Sequence, residues 1–109
     1  MAYQVVLTAD AEADLEDILD YVAAHDVAGK DGYVLDRMDE VIASLAAFPE
    51  RGSHPKELLA LGIREFRQTF FKPYRVIYQI AGRAVHVLLI VDGRRNMQAL
   101  LARRLLGDR

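Results

Sequence analysis

Five arginines in the second half of the chain, Arg64, Arg67, Arg75, Arg94 and Arg95, are its foremost candidates for chemistry. A guanidinium presents its donors in a rigid fork that matches phosphate and carboxylate, so the set points to anion binding. It does not point to proton transfer, because arginine stays protonated in proteins. In the strand-like run YRVIYQI, alternation places Tyr74, Val76, Tyr78 and Ile80 on one face and Arg75, Ile77 and Gln79 on the other. The first set reads as the core face. Arg75 then points to the open side of the sheet, where it needs a carboxylate, a phosphate or water; an ion pair within the fold is its structural reading. Arg64 and Arg67 lie three apart on the preceding strand, so alternation separates them unless a bulge re-aims one. Arg94 and Arg95 follow the last strand at its mouth, a frequent place for binding groups. Lys72 and Arg83 read as turn charges.

Other reactive arrangements are missing. His25, His54 and His86 lack ligand spacing, and with no cysteine in the chain neither a disulfide framework nor a thiolate metal site is available. No metal or cofactor is expected. The carboxylates Asp10, Asp14 and Asp17, like Asp36, Asp39 and Glu40, recur at helical spacing and read as solvated faces. There is no glycine-rich phosphate loop and no nucleophile elbow. Tyr78, on the core face, reads as packing, and His86 as a satisfied strand residue.

The charge is split along the chain. Residues 1–50 carry two basic side chains, Lys30 and Arg37, against twelve acidic ones, whereas residues 51–109 carry twelve basic against four acidic. Such asymmetry suggests a nucleic acid, an acidic partner or a phosphate-bearing substrate. The 109 residues read as a single domain spanning 1–109, with 52% apolar content to build a core. The longest apolar run, near Val87–Val91, is too short to cross a membrane. The start, MAYQVVLTADAEADL, lacks the basic segment of a signal peptide, so a cytoplasmic location is expected.

The elements that must position the arginines follow from local pattern. Tyr3–Thr8 reads as a strand, with Thr8 as N-cap of a helix whose stripe is Ala11, Leu15, Ile18, Leu19 and Val22. After a connector, His25–Gly32, a second stripe runs Val34, Met38, Val41, Ile42, Leu45 and Phe48 until Pro49 stops it. Glu50–Leu61 is irregular, with at most one turn. Strands follow at Ile63–Phe70, Tyr74–Ile80 and Ala84–Val91, the last two joined by the tight loop Ala81-Gly82-Arg83. Met97, Leu100, Leu101 and Leu105 mark a C-terminal helix carrying Arg103 and Arg104. The order β-α-α-β-β-β-α predicts an α+β fold: a small antiparallel sheet of about four strands, with the helical hairpin packed on one face. The other face is expected to be open and rimmed with arginine.

The segments YQVVLTADAEADLEDILDYV, GIREFRQTFFKPYRVIYQI and IVDGRRNMQALLARRL, with the P-x-R-G turn at Pro49–Gly52, resemble the RelE/ParE family of toxins from bacterial type II toxin–antitoxin systems. The similarity spans nearly the whole chain in the family's order. RelE-like members are ribosome-dependent endoribonucleases, and by position Arg75 and Arg95 (or its neighbour Arg94) would match the cations that stabilise their transition state. Two departures count against that activity. The stretch REFRQ holds no lysine where that group has a lysine pair, and Asn96–Arg109 holds neither tyrosine nor histidine. ParE-like members inhibit DNA gyrase and lack the ribonuclease set, as this chain does. The resemblance therefore implies a ParE-like toxin that forms a hetero-oligomer with a cognate antitoxin. Arg64, Arg67, Arg75, Arg94 and Arg95 are the expected contacts to antitoxin or target. A ribosome-dependent nuclease acting on mRNA through Arg75 and Arg95, or an inactive toxin serving as co-repressor, are the alternatives.

Overall fold

In the computed structural model, which describes residues 2–107, the chain folds in the order expected, with two short turns of helix added in the middle. Strand β1 (Gln4–Leu7) leads into α1 (Ala9–His25), where Thr8 Oγ1 accepts from the Ala11 amide at 3.2 Å and caps the helix. Helix α2 (Lys30–Ser44) completes the hairpin. The stripe Val34, Met38, Ile42 and Leu45 is buried, but α2 stops at Ser44 and Phe48 is left 52% exposed. A 3₁₀ turn (Pro49–Arg51) and α3 (Lys56–Leu59) follow, then β2 (Arg67–Phe71), β3 (Tyr74–Ala81), β4 (Ala84–Asp92) and α4 (Met97–Leu105).

The four strands lie in the order β1-β4-β3-β2. The pairs β2–β3 and β3–β4 are antiparallel, as their tight connections require, but β1 runs parallel to β4, so the sheet is mixed rather than antiparallel throughout. A hairpin loop dictates direction only for the strands it joins. The long path from Leu7 to Ala84 leaves β1 free to enter beside β4 in either sense.

The second face of the sheet is not open. The hairpin covers one face over Val76, Tyr78, Val85, Val87 and Ile90, with Tyr74 and Ile80 at its margin, which is the core face expected for β3. The opposite face carries its own core, where Leu58 of α3, Phe66, and Met97, Leu100 and Leu101 of α4 pack on Ile77, Leu89 and Val91. The cause is visible in β4, whose run AVHVLLIV is apolar on both faces and so must be covered twice. An additional residue, Leu88, enters β4 where the pairing shifts from Tyr78↔Val87 to Ile77↔Leu89. This bulge reverses the alternation, sending Val85, Val87 and Ile90 to the hairpin side but Leu89 and Val91 to the other.

Strand β2 starts at Arg67 rather than Ile63. After α3 the chain stays coiled: Gly62 adopts a left-handed φ of 76°, and the Ile63 amide donates back to the Leu58 carbonyl at 3.0 Å. This is the bond that closes a helix on a left-handed glycine. Arg64 therefore sits in the exit from that turn and not on a strand.

Candidate functional site

The structure sends the five arginines to different surroundings. Arg75 is buried, only 9% exposed, across from Phe70 on β2 and Val91 on β4. Its Nη1 and Nη2 donate to both carboxylate oxygens of Glu57 on α3 at 2.9 and 3.0 Å, and its Nε donates to Gln68 Oε1 at 2.8 Å. The arginine expected on an open face is instead neutralised inside the second core. Arg67 Nη1 donates to the carbonyls of Glu50 and Gly52 at 3.1 and 3.0 Å, so its role is to tie the loop before α3 to β2. Arg64 is exposed and makes no ion pair among the described residues.

Arg94 and Arg95 are the pair that reaches a concave surface. They line a groove of about 740 Å³ together with Asp17, Ile18 and Tyr21 of α1, Tyr33 of α2, and Phe71 and Tyr74 at the β2–β3 turn. The groove exists because the two neighbouring strands differ in length. Strand β1 pairs with β4 only as far as Leu7↔Val87, and Thr8 turns away into α1 while β4 continues to Asp92. Side chains stand in for the missing strand: Asp14 Oδ2 accepts from the Ile90 amide at 3.1 Å, and Arg104 donates to both Asp14 oxygens at 3.0 and 2.9 Å and to the Leu88 carbonyl at 3.4 Å. This clasp joins α1, β4 and α4 at the foot of the groove. The acidic face read from Asp10, Asp14 and Asp17 as solvated thus contains one residue, Asp14, with a structural task.

At the groove's rim the charge is partly committed. Asp92 Oδ1 accepts from both the Arg94 amide and Arg94 Nε at 2.9 Å, holding that guanidinium against the turn. These bonds keep the Asp92 carboxyl below its ordinary pKa, and burial, reinforced by Asp92, pushes the Tyr74 phenol above its own. Arg95 is exposed and makes no ion pair among the described residues, so it is the cation of the expected set that stands both free and on the groove. Among the described residues no group of histidine, aspartate and glutamate has the geometry to hold a metal ion. His54 Nδ1 lies 3.1 Å from the Phe66 carbonyl, and His25 stacks on Tyr21 with ring centroids 4.2 Å apart.

Comparison with solved structures shows where this fold has been seen. A chain of the chromosomal ParDE TA system from P. aeruginosa superposes with a TM-score of 0.69 at 17% identity, covering 84% of this chain and 96% of that one. A chain of the RelBE2 toxin–antitoxin complex from Mycobacterium tuberculosis gives 0.60 at 20% identity, covering 84% and 99%. At these identities the likeness is one of fold. The sequence decides further: residues 5–97 match the family described as ParE toxin of type II toxin–antitoxin system, parDE. Toxin ParE3 of Caulobacter vibrioides is 31% identical over 101 residues, 93% of this chain and 97% of that protein. The chain belongs to the ParE toxin family.

In this ParE-family toxin the matched stretch takes in Arg94 and Arg95 but ends at the first residue of α4, before Arg104. The partners Glu57, Gln68, Asp14 and Arg104 were not singled out from the sequence. One signal was present for the first of them. The basic half holds only four carboxylates, Glu57, Glu65, Asp92 and Asp108, against twelve cations, so each is a candidate partner. Among the described residues, Glu57 and Asp92 pair with arginine.

Proposed function

We propose that this toxin acts by binding rather than by cutting RNA, that its target is DNA gyrase, and that a cognate antitoxin neutralises it. The observation that carries the reading is the state of Arg75. A nuclease site on this sheet would need that guanidinium free to meet a phosphate, and here Glu57 grips it through two hydrogen bonds while Gln68 Oε1 accepts two more, from Nε and Nη2. A phosphate would have to displace a carboxylate already in the bidentate geometry it would seek itself. The missing lysines in REFRQ support the same reading. Docking falls to the groove, where Arg95, in no ion pair among the described residues, offers a cation beside the apolar and aromatic surface of Ile18, Tyr21 and Tyr74. An extended antitoxin tail with a carboxylate opposite Arg95 fits it through a charge-assisted hydrogen bond, and covering that surface would deny it to the target. The test is a gyrase supercoiling assay with purified toxin, followed by addition of antitoxin. Block and rescue are expected; full supercoiling at saturating toxin contradicts the proposal.

A further inference from the structure

Although Arg75 does not reach the groove, its side chain lies directly beneath the turn that carries Arg94 and Arg95. A Cβ on Gly93 would fall 2.9 Å from Arg75 Cδ, 3.1 Å from Arg75 Cγ and 3.3 Å from the Pro73 carbonyl oxygen. Gly93 is not among the glycines with positive φ, so space, rather than backbone conformation, demands the missing side chain. The Gly93 amide donates to the Pro73 carbonyl at 2.8 Å, and the Arg95 amide donates to the Asp92 carbonyl at 3.2 Å. The stem that supports this turn is itself immobilised from its far end, with Glu57 of α3 holding both Nη atoms and Gln68 of β2 holding Nε. A continuous series of contacts thus runs from α3, through Arg75 and Gly93, to the rim of the groove.

We propose that Arg75 is a positioning residue: clamped by Glu57 and Gln68, its aliphatic stem is the platform on which Gly93 seats the turn that aims Arg95 over the groove. The consequence for docking rests on the reading of Arg95 as a contact to target; the positioning itself rests on the packing alone. Three features follow from the geometry. Shortening the clamp loosens the turn from below, adding a methyl at Gly93 lifts it from above, and an amide in place of the Glu57 carboxylate retains an acceptor for Arg75 and most of the support.

Amide hydrogen exchange on the full chain reads this residue by residue. In Gly93→Ala, exchange at the Gly93 and Arg95 amides should accelerate about tenfold or more, as expected for local opening, with central β3 amides such as Ile77 changing far less, whereas Glu57→Ala, which leaves Arg75 buried without its counter-charge, should accelerate Ile77 as well. Glu57→Gln should restore most of the protection at the turn. In Gly93→Ala a merely structural contribution would instead raise exchange at the turn and at Ile77 together. Unchanged exchange at Gly93 and Arg95 in both Glu57→Ala and Gly93→Ala overturns the proposal, as does parallel acceleration at Ile77 in Gly93→Ala. Gyrase supercoiling then reads the consequence. The toxin concentration giving half-inhibition should rise about tenfold for Gly93→Ala and for Arg95→Ala, and the double variant should be no worse than Arg95→Ala alone, because both changes remove the same contact. If the double variant is additive, Gly93 does not act through Arg95. If wild-type toxin leaves gyrase untouched, the target reading fails while the exchange result still decides whether Arg75 positions the turn.

Discussion

Arg75→Ala is expected to destabilise the fold by roughly 3–5 kcal/mol, because it strands the Glu57 carboxylate in a dry site with no counter-charge. Both side chains are about a tenth exposed, so solvent offers little relief. Against a total stability of about 5–15 kcal/mol for a domain of this size, such a loss is severe. Urea denaturation at constant slope measures it. Replacing both partners by apolar side chains, Arg75→Met with Glu57→Leu, should recover much of the loss, since neither member is then left buried and unpaired. A loss under about 1 kcal/mol for Arg75→Ala would show the pair to be behaving like an exposed one.

The same pair gives the fold an acid limb. The hydrogen bond from Arg75 holds the Glu57 carboxyl below its ordinary value of 4.5, outweighing the effect of burial. Between the folded and unfolded pKa values the unfolded chain binds more protons, so stability rises with pH across that window. The contribution is complete above about pH 4.5 and is lost as pH falls through the depressed folded value. In Glu57→Gln this part of the acid limb should disappear. A Glu57→Gln variant that keeps the wild-type pH dependence below that point would contradict the assignment.

Gly52→Ala is expected to be about as damaging, roughly 3 kcal/mol, by overpacking together with the loss of a buried hydroxyl's partner. A Cβ at Gly52 would stand 2.7 Å from the Gln68 carbonyl oxygen, 2.9 Å from Tyr78 Cζ and closer still to the Tyr78 hydroxyl. None of these atoms can give way easily. Tyr78 is fully buried, its hydroxyl donates to the Pro49 carbonyl at 2.5 Å, and the Gln68 amide is bonded to the Ser53 carbonyl at 2.7 Å. Gly52 itself has φ −68° and ψ 149°, ordinary for any residue, so the damage comes from space alone. Thermal or urea unfolding of Gly52→Ala against Gly52→Ala with Tyr78→Phe checks the mechanism. The phenylalanine removes the nearest of the three atoms and the hydroxyl that would lose its partner, so the double variant should be the more stable of the two. Equal stabilities would place the strain elsewhere.

These two positions also mark what the residues disclose in linear order and what they do not. The element order, the Thr8 cap, the α2 stripe from Val34 to Leu45 and the core face of β3 all follow from short-range periodicity, and the fold preserves them. The direction of β1 has no such local determinant, since no tight turn joins it to β4. The covering of the second face needed two observations combined: the doubly apolar run of β4 and a C-terminal stripe with nowhere else to pack. The onset of β2 was displaced by a left-handed glycine that keeps Ile63 in the preceding turn.

For the site, Arg94 and Arg95 follow the end of the last strand, and in the fold that end lines the groove. Alternation correctly put Arg75 on the face away from the hairpin, but what awaited it there was a carboxylate 18 residues away, in a stretch without periodicity. Arg67 was taken up by backbone carbonyls, partners that no side-chain pattern announces. Of the ion pairs among the described residues, only Asp14 with Arg104 joins the acidic half of the chain to the basic half, whereas Glu57 with Arg75 lies within the basic half.

If the toxin works by occupying a surface, as proposed, gyrase supercoiling measures that most directly. With purified wild-type toxin in equimolar to modest excess, relaxed plasmid should stay relaxed or be trapped as cleaved DNA, and adding the cognate antitoxin should restore supercoiling. Undiminished supercoiling at saturating toxin would contradict the claim.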